Sequence, residues 1–242
     1  MTGRRAPGLR PVVAAFGLAI MAVACLGAPR TGLAQTPGAG GDPAGACAAG
    51  TGPSVRSTGS TLCFSGEITR ASAERAMALM TSDRTITTMV VTSEGGEVTV
   101  SVRLARAIRA RGLTLVVQRQ CVSSCANFLF TGARRKIVSP GSLVVFHGGI
   151  APVAFGGLFG GGEERELLAL TEGFFREIGV NGALTYDQPP LAGSRDGADE
   201  WTASPAALAR YGVRGIVSMW WPGRAAIVAE GRRQGMNLGV FE

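Results

Sequence analysis

Histidine occurs once in the 242 residues, at His147, and lysine once, at Lys136. A single imidazole cannot complete a Cys/His zinc set, and the C-x3-C spacing of Cys121 and Cys125 is not that of a zinc ribbon, so no metal is expected. Aromatic residues are scarce too, at 6% of the chain. The net charge of +7 is therefore carried by arginines such as Arg70, Arg75, Arg103, Arg106, Arg109, Arg111 and Arg232, without the interleaved rings of a single-strand nucleic-acid binder. Nucleic acid is not an expected partner. Charged residues make up only 17% against 46% apolar ones, which excludes a disordered chain and leaves ample material for a core. There is no internal repeat.

The one long apolar run lies at the N-terminus. Arg4, Arg5 and Arg10 precede residues 11–28 (PVVAAFGLAIMAVACLGA), and Gly32-Leu33-Ala34 offers small residues for cleavage. Residues 1–34 are read as a cleaved signal peptide, which leaves no membrane span after processing. Two alternatives stand beside it: an uncleaved anchor, and lipid attachment at Cys25 within a loose lipobox. A periplasmic or secreted location follows. Four cysteines then remain, Cys47, Cys63, Cys121 and Cys125, and an even number in an oxidising compartment suggests two disulfides. Of the three pairings, Cys121–Cys125 with Cys47–Cys63 is favoured.

Residues 35–60 are rich in Gly, Ala, Pro, Ser and Thr and read as a flexible linker. An ordered domain is expected over 61–222, with a C-terminal tail at 223–242. Strands are predicted at 61–68, 86–92, 113–117, 143–147 and 213–217, from β-branched and apolar runs. Helices are predicted at 71–82, 98–111, 126–131 and 163–178, with Gly112 stopping the second. Ser204 and Pro205 open a further short helix as N-cap and first residue, ending near Tyr211-Gly212. Residues 183–197 read as loop. The glycine-rich stretch 148–162, with Phe155 and Phe159, is expected to form a substrate edge or lid. This alternation predicts one α/β domain with a mostly parallel sheet.

The chemistry concentrates in residues 120–147 (QCVSSCANFLFTGARRKIVSPGSLVVFH). A serine pair between two cysteines precedes an apolar helix, and His147 ends the next strand. A serine hydroxyl is a poor nucleophile near neutral pH and needs a base such as imidazole to take its proton. Ser123 and Ser124 both qualify as nucleophile, and Cys125 competes as a thiol unless a disulfide makes it inert.

The order of these motifs resembles the Clp protease proteolytic subunit, a member of the ClpP/crotonase fold, over roughly residues 62–217. A Ser-x-Gly-Gly turn (Ser93–Gly96) ends a strand, a long helix and a strand follow, then come the small-residue turn and the histidine. The C-x-S-x-C form of the turn resembles exported ClpP-like proteins in particular. The resemblance implies a repeated β-β-α and βαβ architecture. It implies Ser124 as nucleophile, with Phe128 and Gly132 at the family's spacing, and His147 as base. It also implies backbone N–H groups of Gly96 and Cys125 as the oxyanion hole. Asp199, two residues before Trp201, matches the acid, with Asp187 and Glu200 as alternatives. A Ser-Lys dyad does not fit, because Lys136 follows Ser124 too closely.

The expected function is that of an exported serine hydrolase acting on peptide or protein, without cofactor. The family's ring assembly is only weakly implied, a smaller homo-oligomer fits as well, and no ATPase partner is expected outside the cytoplasm. The alternatives are a non-catalytic envelope scaffold that keeps the fold and, less favoured, a crotonase-type acyl-CoA enzyme.

Overall fold

The computed structural model describes residues 45, 47, 52–148, 161–189 and 199–242. The expected signal peptide, Cys25, and nearly all of the glycine-rich stretch lie outside these residues. Among the described residues no helix is long and apolar enough to cross a membrane.

The protein is an α/β structure around a mostly parallel sheet of seven strands. The edge strand β1 (Ser54–Thr58) runs antiparallel to β2 (Thr61–Ser65). Helix α1 (Arg70–Ser82) crosses to β3 (Thr88–Ser93), and α2 (Val98–Arg111) crosses to β4 (Thr114–Val122). The three strands β2, β3 and β4 are parallel neighbours, as two helix crossovers require. Local chemistry sets the helix ends. Thr69 and Ser72 form a reciprocal capping box at the start of α1, with N–H to side-chain oxygen distances of 3.2 and 2.9 Å. Gly112 closes α2 in the left-handed conformation.

Strand β4 serves two partners. Its first half pairs in parallel with β5 (Arg135–Val138), and its second half with β6 (Leu143–Val145). Between the halves β4 bulges: it advances from Val117 to Cys121 while β3 advances from Val91 to Ser93. Arg119 sits in the bulge with φ at 62°, and its N–H donates to Ser142 Oγ at 2.8 Å. Beyond β5 the sheet ends at β8 (Ile216–Met219). A second, two-stranded parallel sheet joins β7 (Glu200–Ala203) to β9 (Leu238–Phe241).

Helix α3 (Gly162–Ile178) covers the main core through Phe174 and Phe175, α4 (Pro205–Arg210) follows β7, and α5 (Arg224–Arg233) precedes β9. The larger apolar cluster fills the space between the main sheet and its helices. A smaller one gathers Val122, Leu143, Val145, Ile227, Met236, Leu238 and Val240.

Several boundaries differ from expectation. The stretch read as linker contains β1, and the stretch read as tail contains α5 and β9. Strand β4 runs on to Val122 because the polar residues 118–120 form a bulge instead of a loop. Strand β5 lies where no element is predicted, between the helix at 126–131 and the strand at 143–147, and the last strand of the main sheet is Ile216–Met219, not 213–217. Part of the stretch read as loop forms a 3-10 turn at Gly182–Thr185.

Strand β5 carries the one lysine inward. Lys136 is 1% exposed, and its Nζ donates to Arg214 O at 2.6 Å and sits 5.4 Å from the Phe130 ring centre. Burial first, and then the charge of Arg109, push its pKa from 10.5 down to about 7. Between those two values the unfolded chain holds a proton that the folded protein has released. Stability therefore rises with pH from about 7 to about 10.5. Replacing Lys136 by Met is expected to remove this rise, which approaches about 1.4 kcal/mol per pH unit. Denaturant unfolding of both proteins across that window checks it; parallel pH profiles would refute the assignment.

Candidate active site

The candidate site forms where the Gly95-Gly96 turn meets the end of β4. Gly95 has φ of +100°, and a Cβ there would lie 2.7 Å from Ser123 Cβ and 2.8 Å from Val122 O. Gly96 has φ of +149°, and a Cβ there would lie 2.3 Å from Ile68 O. Neither residue could carry a side chain. The turn is held from one side by Ile68, whose N–H donates to Gly95 O at 2.7 Å while its carbonyl accepts from Glu97 N–H at 2.9 Å. From the other side the Ser123-Ser124 turn presses against Gly95.

Ser123 takes the left-handed conformation, φ 54°, uncommon for a residue with a side chain. Its N–H donates to Val145 O at 3.0 Å, which ties the turn to β6. Ser124 follows at φ −55° and leads into a π-helical segment, Cys125–Phe130. Such segments are rare and recur at functional sites. Ser124 is 4% exposed, and its Oγ donates to Gly96 O at 2.7 Å. The two serines thus differ: Ser123 is the hinge, and Ser124 is the hydroxyl aimed at the glycine turn.

The spacing of Phe128 and Gly132 after Ser124 has a packing cause. Phe128 lies 5.6 Å from Phe174 and 6.0 Å from Phe175 between ring centres, pinning the π-helical segment to α3. At Gly132 a Cβ would meet Phe174 Cζ at 2.8 Å.

The histidine is placed by register. Val122 of β4 and Val145 of β6 are Cα partners in parallel strands. Ser124 and His147 each lie two residues beyond that pair, so both emerge at the same end of neighbouring strands. His147 is exposed. Among the described residues no hydrogen bond joins it to Ser124 or to an acid.

Phe146 and Trp201 form an antiparallel bridge with N–H to O distances of 2.7 and 2.8 Å, and Trp201 is wholly buried with its indole N–H on Leu184 O. His147 follows Phe146 by one residue, and Glu200 and Asp199 precede Trp201 by one and two, Asp199 exposed and Glu200 half-buried. Asp187 is engaged elsewhere, accepting from the Tyr211 hydroxyl at 3.1 Å. Burial, and then this contact with Asp187, hold the Tyr211 phenol above its usual pKa.

Among the described residues the N–H groups of Gly96, whose carbonyl accepts from Ser124 Oγ, and of Cys125, the residue after Ser124, make no hydrogen bond. Cys125 is no free thiol: it is bonded to Cys121, with a Cα–Cα distance of 5.2 Å, and Cys47 is bonded to Cys63 at 5.5 Å. Both favoured pairings are present. Among the described residues no group of three or more His, Cys, Asp or Glu side chains could hold a metal ion. No protein-family model matches the chain, and no curated protein matches it.

Two outcomes follow from this geometry. Gly95→Ala drives a methyl into the Ser123-Ser124 turn and is expected to cost about 3 kcal/mol of stability by denaturant unfolding. A loss under about 0.5 kcal/mol would show the turn to be loosely held. Cys121 and Cys125 are both 0% exposed, whereas Cys47 is half-buried. Mild reduction of the folded protein should open Cys47–Cys63 first, as read by alkylation and peptide mass mapping. Alkylation of Cys121 and Cys125 first would contradict the burial.

Proposed function

We propose that the chain is an exported serine hydrolase of the ClpP/crotonase-like fold, cleaving peptide or protein substrates. The observation that supports this reading is the register: Ser124 and His147 each lie two residues beyond one strand pair, and among the described residues the N–H groups of Gly96 and Cys125 are unbonded. In the reaction His147 takes the proton of Ser124 as Oγ attacks the carbonyl carbon, and the oxyanion sits between Gly96 N–H and Cys125 N–H. Asp199 holds the imidazole's tautomer and stabilises its charged form, with Glu200 as the neighbouring candidate. The imidazolium then protonates the leaving group, and water repeats the sequence on the acyl-enzyme. The two disulfides fit an oxidising compartment, and the Cys121–Cys125 bridge braces the turn that carries both Ser124 and an oxyanion donor.

A second reading is a non-catalytic scaffold with the same fold. It is favoured by one contact: the Ser124 hydroxyl donates to Gly96 O, not to the histidine.

A serine-reactive fluorophosphonate separates the two. Labelling of the oxidised protein is expected to vanish in Ser124→Ala and persist in Ser123→Ala, and to slow at least about a hundredfold in Asp199→Asn. Absence of labelling in well-folded protein supports the scaffold. Slowing in Glu200→Gln but not Asp199→Asn would move the acid by one residue.

A further inference from the structure

At the other end of the main sheet, a pocket of about 260 Å³ opens among three arginines: Arg109 in the last turn of α2, Arg134 just before β5 and Arg214 just before β8. One wall is apolar, made by Ala133, Ile178 and Val180. No carboxylate lines it, and among the described residues none of the three arginines forms an ion pair. Lys136 is buried, forms no ion pair among the described residues, and donates to the carbonyls of Arg214 and Thr131, two residues that line the pocket.

Arginines near helix C-termini are commonly explained by the carbonyls they satisfy. Here that explanation is used up before the donors are. Arg109 Nη1 donates to Gly132 O at 3.0 Å, and Arg134 Nε donates to Arg109 O at 3.2 Å. The guanidinium of Arg214 has no hydrogen-bond partner among the described residues. Each guanidinium offers five N–H donors, so most of those around this pocket remain unspent while the nearby carbonyls are already taken. Close backbone packing fixes the arrangement. A Cβ on Gly215 would lie 1.9 Å from Arg134 O, so the segments bearing Arg134 and Arg214 touch backbone to backbone. After burial, the charge of Arg109 lowers the pKa of Lys136 further.

We propose that this pocket binds a doubly charged phosphate group, held by the guanidinium groups of Arg109, Arg134 and Arg214. Forked donors match the oxygens of a phosphate, and the pocket's volume suits a small ion or a compact ester whose organic part rests on Val180 and Ile178. This site is separate from Ser124 and His147, which emerge where β4 and β6 end, and it stands or falls independently of the hydrolase reading.

The test is thermal unfolding of the full oxidised chain in sodium chloride, sodium phosphate or glycerol 3-phosphate at equal ionic strength. About 10 mM of a binding anion is expected to raise the midpoint by about 2–4 °C over chloride. A larger rise with phosphate assigns the free ion, and a larger rise with the ester assigns the monoester; either supports the site. Arg214→Gln should cut the increment to about a quarter, and the pair Arg134→Gln with Arg214→Gln should abolish it. Arg103→Gln, an exposed arginine elsewhere on α2, should retain it. Calorimetric titration with phosphate should show affinity falling about tenfold for Arg214→Gln. An increment that survives in the double variant, or that is equally lost in Arg103→Gln, overturns the proposal, because the effect would then be general charge screening.

Discussion

The candidate site depends on a backbone contact that no side chain could occupy. Gly95 and Gly96 lie between two other segments, with Ile68 against one and the Ser123-Ser124 turn against the other. Each contact forbids a Cβ, and each glycine has positive φ. The turn is therefore fixed by steric closure, not by a side chain's preference. Closure of this kind is stiff, because close-packed backbone transmits displacement instead of absorbing it. The Ser124 hydroxyl and the Gly96 peptide are held in one relation as a result.

That contact needs β4 to reach beyond its natural end, and the bulge at Arg119 makes this happen. By spending extra residues between Val117 and Cys121, β4 leaves its partner β5 and takes up β6, whose end delivers His147. The Cys121–Cys125 disulfide then spans the junction between strand and π-helical segment, closing a short loop around the serine pair. Trp201 completes the frame. Fully buried and paired with Phe146, it joins the start of β7, in a different sheet, to the residue before His147.

The sequence made legible those parts in which local chemistry and tertiary structure agree. The helix at Val98–Arg111 with Gly112, the Ser204-Pro205 start and the two cysteine pairs were all readable, since capping, periodicity and compartment each point one way. The parts that were not readable are settled by partners far away in sequence. Strand β1 looks like linker because its residues are small and polar, yet it pairs residue by residue with β2. Strand β5 hides behind arginines because a buried lysine breaks its apolar pattern. Strand β9 is legible only as a tail until β7 is in place beside it. At the candidate site, the motif order pointed to Ser124 and Gly96 as a pair, and the two are in contact. The role of Gly95 as the seat of the nucleophile turn was not readable, since it follows from a contact between residues nearly thirty positions apart.

The Ser124–Gly96 hydrogen bond is the feature that sets the hydrolase reading against the scaffold reading, and its magnitude bears on the choice. A neutral hydrogen bond of this kind is worth about 0.5–1.5 kcal/mol net, so freeing the hydroxyl costs about tenfold in rate at most. Loss of one oxyanion donor costs about 3–4 kcal/mol, a factor of several hundred. The serine's rotamer is thus the cheaper term to change, and the backbone donors are the dearer one to build. An unpaired N–H costs stability where water cannot reach it, and Cys125 is wholly buried while Gly96 is half-buried. Among the described residues both N–H groups stay unbonded, and of the two proposals the hydrolase is the one that gives those donors a use.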